Sequence, residues 1–130
     1  MSSSLSAETD DGWTLDIQVT QTTTDPVGAV LLTHAMMVDR RTYVRGGQGF
    51  APFLAAQGWR VYNADFRGHG ASGPTPGEGG EWTYDDIVFR DLPALVHTCL
   101  GHADGLPLVL AGHSLGGHTA MAAAGCAQFP

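Results

Sequence analysis

Leu108-Val109-Leu110-Ala111-Gly112-His113-Ser114-Leu115-Gly116-Gly117 is the stretch on which the reading of this chain turns. An apolar, β-prone run climbs into Gly-x-Ser-x-Gly, and a small-residue pattern of helical character follows at once. A serine so placed is lifted out of the sheet on a sharp strand-to-helix turn. Gly112 and Gly116 have a steric task there, because strand and helix approach most closely beside Ser114 and a Cβ would clash. The turn forces Ser114 itself into unfavourable backbone angles of the kind tolerated at functional sites. It also sets Ser114 at a helix N-terminus, where free N–H groups favour negative charge. Gly-x-Ser-x-Gly alone is a weak pattern that also fits a glycine-rich turn with an incidental serine. The strand before it and the helix after it make Ser114 the candidate nucleophile and Gly112 and Gly116 the elbow glycines.

Working outward, Leu106 to Ala111 is the strand feeding this turn, and Leu115 to about Gln128 is the helix leaving it. Trp13, Leu15, Ile17 and Val19 alternate with polar residues, the period-two pattern of a strand with one buried face. Ala29 to Thr33 is continuously apolar up to its last residue, as expected of a parallel strand covered on both faces. Phe50 to Ala56 predicts a helix, with Pro52 near its start and Gly58 past its end, and Arg60 to Ala64 another strand. Strand, helix and strand at this spacing make a βαβ crossover and an α/β fold with a mostly parallel sheet. The Leu106–Ala111 strand is expected to pair with Ala29–Thr33, with Arg60–Ala64 on the other side of the latter. Its own second edge then has no partner in the sequence, a template for self-association.

Asp65 to Gly80 is a Gly- and Pro-rich loop in which Gly68-His69-Gly70-Ala71-Ser72-Gly73 satisfies the dinucleotide pattern Gly-x-Gly-x-x-Gly. That match is rejected, because the fingerprint needs a helix to open there and Pro74 and Pro76 follow instead. The next helix begins at Thr83, which with Asp86 resembles a capping box. Ile87, Val88, Leu92, Leu95 and Val96 give it an apolar face, Pro93 is expected to kink it near Val88–Phe89, and Gly101 to stop it.

The 130 residues allow at most one domain, with a disordered lead over residues 1–12 and the folded unit over 13–130. A hydrophobic fraction of 43% supplies a core, and a formal charge of −7 with six arginines and no lysine excludes several functions. An acidic chain without a basic patch is a poor partner for nucleic acid or an anionic membrane surface. Without lysine there is no Walker-type nucleotide site and no Schiff-base chemistry. No apolar run approaches the ~20 residues needed to span a bilayer, and no signal peptide is evident, so a cytoplasmic location is expected. Cys99 and Cys126 read as reduced, buried thiols. No His-Glu-x-x-His or Cys-x-x-Cys supports a metal site, and no cofactor is expected.

His34-Ala35-Met36, Asp65-Phe66-Arg67-Gly68-His69-Gly70-Ala71-Ser72 and Gly112-His113-Ser114-Leu115-Gly116-Gly117 occur in the order and spacing of the α/β-hydrolases. The chain resembles their lipase, esterase and serine-peptidase branch, which includes monoacylglycerol-lipase-like proteins. The resemblance runs from about Trp13 to Pro130 but covers only the first half of that family's domain. It implies Ser114 as nucleophile and the backbone N–H groups of Leu115 and Met36 as oxyanion donors. It implies loop-bracing roles for His34, Asp65, Arg67 and His69, and a structural role for His113. The implied activity is hydrolysis of esters, amides or related acyl bonds of a small-molecule substrate through an acyl-serine. Acyltransferases and thioesterases share the serine. Dehalogenases, which use Asp, and dienelactone hydrolases, which use Cys, do not.

In that family a carboxylate and then a histidine follow the serine. Here no Asp or Glu follows Ser114, and the histidine that does, His118, is one helical turn on and wrongly directed. The chain therefore reads as an N-terminal half, inactive by itself because a serine without its base is a weak nucleophile. The rival reading is a non-catalytic fragment or binding module that retains the elbow.

Overall fold

The computed structural model describes residues 2–130; Met1 lies outside them. A five-stranded sheet in the order β1-β2-β4-β3-β5 carries the chain. Its strands are β1 (Ser2–Glu8), β2 (Thr14–Thr20), β3 (Gly28–Thr33), β4 (Trp59–Ala64) and β5 (Leu108–Gly112). β3 pairs in parallel with β4 on one side and with β5 on the other, as the βαβ reading requires. β2 joins β4 antiparallel and β1 joins β2 antiparallel, so the sheet is mixed.

All six residues of β3 are buried, and they serve two cores. Ala29 and Leu31 join Leu15, Ile17, Tyr62 and the residues of α3 (Leu92–Ala103) on one face. Val30 and Leu32 meet Val61 and Ala51 of α1 (Phe50–Ala56) on the other. Helices thus cover both faces of the parallel half. β2 keeps its period of two, with Leu15, Ile17 and Val19 buried, Asp16, Gln18 and Thr20 half-buried and Thr14 exposed.

The disordered lead expected over residues 1–12 is corrected by β1, which pairs with β2 from Ser2↔Thr20 to Glu8↔Thr14. Backbone pairing and the burial of Ala7 hold a serine-rich segment whose composition carries no strand signal. The turn between the two strands is closed by Thr9, whose N–H donates to Trp13 O (2.9 Å) and whose Oγ1 accepts from Trp13 N (2.9 Å).

Thr83 caps α2 (Tyr84–Asp86) in a reciprocal box with Asp86, as expected. The chain then passes through a π-helical segment (Ile87–Asp91) directly into α3. Pro93 lacks an N–H and its ring crowds the carbonyl of Phe89. Around Val88–Phe89, where a kink was expected, the helix widens, and Leu92 N–H donates to Ile87 O, five residues back.

Gly101 does not stop the helix. α3 runs through it to Ala103, and Asp104 ends the helix in the left-handed region (φ 51°, ψ 58°), followed by Gly105 at φ 88°. The C-cap signal is thus carried four residues later than expected. α4 (Leu115–Gly125) ends before Gln128, and Cys126 at its end is exposed rather than buried; Cys99 is buried as expected. Among the described residues no helix is long and apolar enough to cross a membrane.

Because a Cβ on Gly101 would meet nothing within 4 Å, Gly101→Ala should raise the unfolding free energy by about 0.5–1 kcal/mol through helix propensity. Urea denaturation measures this; a loss of stability would mean that Gly101 is the cap after all.

Candidate active site

The end of β5 and the start of α4 meet at Ser114, whose backbone sits at φ 53° and ψ −111°. This is a region L-residues rarely occupy, and it costs of order 1–3 kcal/mol that the surroundings must offset. The surroundings are glycine contacts. A Cβ on Gly112 would lie 2.4 Å from Gly116 C, and one on Gly116 would lie 2.6 Å from both Thr33 O and Thr33 Oγ1. α4 therefore rests its first turn directly on the backbone ends of β3 and β5. His113 N–H donates to Thr33 O (3.2 Å), and Tyr43 OH donates to the same carbonyl (2.8 Å). Ser114 is exposed and its side chain makes no capping bond.

Thr33 and Gly112 are register partners, so the loops that follow β3 and β5 leave adjacent strand ends. Met36 on the first loop and Leu115 on the second line one cavity of about 1000 Å³. Met37, Val38, Trp82, Tyr84 and Ile87 make much of its wall apolar, while Asp39, Arg41, Arg45 and Glu81 add charge. A carbonyl group bound there would have helix N-terminal N–H groups close by, the arrangement that stabilises a developing oxyanion.

Residues 24–128 match the family described as Serine aminopeptidase, S33. The chain belongs to this hydrolase family. Its fold is that of the α/β-hydrolases: an esterase of Pyrococcus furiosus superposes with a TM-score of 0.72 at 24% identity, over 94% of this chain and 46% of that one. The esterase domain of a Rhodothermus marinus protein superposes at 0.68 with 26% identity, over 100% of this chain and 46% of that one. A pyrethroid hydrolase of Sphingobium wenxiniae is 41% identical over 66 residues, which are 51% of this chain and 21% of the relative. The chain thus spans less than half the length of these proteins.

The loops after β3 and β4 are held by buried polar side chains. His34 is fully buried, its Nδ1 lies 2.8 Å from Ala35 O, and its Nε2 accepts from Phe66 N–H at 3.0 Å. A carbonyl can only accept, so Nδ1 carries the proton and both ring nitrogens are committed. Burial lowers the His34 pKa and keeps the ring neutral. Asp65 accepts from Arg40 N–H (2.9 Å) and Ala71 N–H (3.0 Å), and its carbonyl accepts from Ser72 Oγ (2.8 Å). A Cβ on Gly70 would fall 2.4 Å from Asp65 Oδ2, and one on Gly68 would fall 2.1 Å from the Trp82 ring. Those close approaches, with φ of +51° and +75°, account for two of the three glycines of the rejected dinucleotide pattern.

Arg67 is 1% exposed. Its N–H and Nε donate to Asp91 (2.9 and 2.7 Å), and Nη1 and Nη2 donate to Asp11 (2.7 and 3.1 Å). Its guanidinium lies 5.2 Å from the Trp13 ring centroid. His69 holds its ring through Nδ1 at 2.8 Å from Arg67 O. The cavity wall supplied by residues 76–84, above all Trp82, had no motif to announce it. Nor did Asp11 and Asp91, the partners of Arg67. Among the described residues no cluster of three or more His, Cys, Asp or Glu could hold a metal ion.

The Arg67 hydrogen bond holds Asp11 well below the usual carboxylate range, at about 2, whereas burial pushes Asp91 up to about 6. The Asp11 contribution to stability is complete above its ordinary value of 3.8 and is lost as pH falls through about 2. Asp91 works the other way between 3.8 and about 6, gaining stability as pH falls. Acid unfolding followed by circular dichroism should therefore steepen below pH 3.8. Asp11→Asn should be less stable at neutral pH and show a shallower decline in the low window; an unchanged acid limb would remove Asp11 from the account.

Proposed function

We propose that Ser114 is the nucleophile of a serine hydrolase that cleaves esters or related acyl bonds through an acyl-serine. The observation that carries this reading is the left-handed Ser114 backbone, held by glycine contacts beside a cavity that Met36 and Leu115 line. In the reaction, Ser114 Oγ attacks the acyl carbon and gives its proton to a general base. The carbonyl electron pair moves onto oxygen, where the Met36 and Leu115 N–H groups hold it. Collapse of this intermediate expels the alcohol, which takes up the proton, and leaves acyl-Ser114 for water to hydrolyse. In this reading the base and its orienting acid come from polypeptide other than residues 1–130. His34 has both nitrogens committed, and His118, whose N–H donates to Ser114 O, is one turn along α4. The apolar wall favours a bulky, neutral ester, in keeping with the activity named for the pyrethroid hydrolase. Both cysteines are free thiols, which suits a cytoplasmic setting.

Residues 1–130 alone should hydrolyse 4-nitrophenyl butyrate hardly faster than buffer. Supplying the C-terminal half of a related esterase, as a separate chain or a fusion, should restore turnover. Ser114→Ala in that protein should lose about 10⁴-fold or more. Strong activity from residues 1–130 that survives Ser114→Ala would overturn the acyl-serine mechanism.

The partner we propose besides the ester is a second copy of this chain, paired edge to edge through β5. β1, the other sheet edge, is lined with exposed serines, whereas β5 presents Val109 at 47% exposure in an uncharged apolar strand. Antiparallel pairing of one edge with itself is self-complementary about a two-fold axis. Light scattering should find oligomers of residues 1–130, and Val109→Lys should shift them to monomer. A monodisperse wild-type monomer would refute the pairing.

A further inference from the structure

The cavity that Leu115 lines is also lined by His69, a side chain that the proposed chemistry does not use. His69 Nδ1 lies 2.8 Å from Arg67 O, and because a carbonyl only accepts, Nδ1 carries the ring proton. Nε2 is then a bare acceptor. The ring is half-buried and fixed between two others, its centroid 4.8 Å from His34 and 5.6 Å from Trp82. His69 and Trp82 line the same cavity as Met36 and Leu115. The other polar side chains of that wall are otherwise engaged or exposed. Arg41 is bound to Asp39 through Nε and Nη2 (3.0 and 2.9 Å), and Thr83 Oγ1 accepts from Asp86 N–H. Arg45, Glu81 and Tyr84 are exposed.

We infer that His69 Nε2 is a substrate-binding acceptor that selects esters carrying a hydroxyl or N–H group on their non-reacting portion. This rests on the cavity being the acyl site of the proposed hydrolase. The Trp82 ring packs against Gly68 and the Asp65 carboxylate against Gly70, so the acceptor is held in place before any ligand enters. A site with a placed acceptor discriminates against a ligand that cannot donate to it, because the desolvated lone pair is then left unpaired. His69 therefore has two separable tasks: Nδ1–H braces the Arg67 turn, and Nε2 reads the ligand.

The test uses two uncharged, non-hydrolysable ketones, 3-hydroxyacetophenone and its methyl ether 3-methoxyacetophenone, which differ in one O–H donor. Titration of the wild-type chain should show the hydroxy compound binding about fivefold more tightly, the scale of one neutral hydrogen bond. The ¹⁵N resonance of His69 Nε2 should move with the hydroxy compound and stay in place with the ether. His69→Asn retains a side-chain N–H that can reach Arg67 O but has no atom at the Nε2 position, and it should erase the preference, so that the two ketones bind alike. Equal affinities in the wild type, an unmoved Nε2 resonance, a preference that survives His69→Asn, or no binding of either ketone would each overturn the assignment. The resonance arm decides the matter even if the variant fails to fold. Neither arm involves turnover, so failure of the Ser114 chemistry, read by the ester assay, is distinguishable from failure here.

Discussion

The functional end of this chain depends on one close approach, that of the first turn of α4 to the backbone ends of β3 and β5. With 2.6 Å from a Gly116 Cβ to Thr33 O, and 2.4 Å from a Gly112 Cβ to Gly116 C, no side chain larger than hydrogen fits at either position. The approach does three things at once. It bends the backbone at Ser114 into the left-handed region, brings the Leu115 N–H to a helix N-terminus, and fixes that terminus relative to the loop after β3. The strain at Ser114 is offset by the packing of α4 on the sheet, with Thr119 and Ala123 buried beneath it.

A second constraint holds the loops that form the cavity. Sixteen residues from Asp65 to Gly80 contain only a short 3₁₀ turn, Pro76–Glu78, and a loop of that length is ordered only if something orders it. Asp65 and Arg67 do so by bonding backbone N–H groups and distant carboxylates rather than water. Burying a guanidinium is costly unless it is paired and hydrogen-bonded. Arg67 meets that condition by linking the π-helical segment through Asp91 to the β1–β2 turn through Asp11. The strand that looked like a disordered lead is thereby tied to the cavity wall: Trp13, at the end of its turn, packs edge-on against Trp82 at 6.0 Å.

What was legible in the sequence was whatever leaves a periodic or steric mark. β2 showed in its alternation, β3 in its continuous burial, and the elbow in its glycines; the order β4-β3-β5 followed from the crossover. Ser114 was named from the motif and Met36 and Leu115 from the family resemblance, and the structure brings the latter two to one cavity. β1 left no mark because a serine-rich edge strand is held by its backbone. The π segment left none because Pro93 predicts disruption without saying whether the helix bends or widens. Gly101 misled because a glycine inside a helix and a glycine ending one look alike, and the buried Ala103 two residues on decides for continuation. Trp82 and His69 escaped as cavity residues because their placement comes from the fold of an aperiodic loop.

The distribution of these constraints along the chain bears on how the proposed site divides its labour. Ser114's geometry is set by Gly112, Gly116 and Thr33, and no titratable side chain takes part in setting it. The proposed oxyanion donors are backbone groups, and the cavity wall is braced by Asp65, Arg67 and His34, whose hydrogen-bond partners lie within residues 2–130. Positioning and electrostatic stabilisation can therefore be complete in residues 2–130 before any base is present. Proton transfer is the separable part, since it needs only a histidine delivered to Ser114 Oγ, which is exposed and uncommitted. A nucleophile whose strain is maintained by backbone packing does not relax when its base is missing. It remains in a geometry that complementation can use.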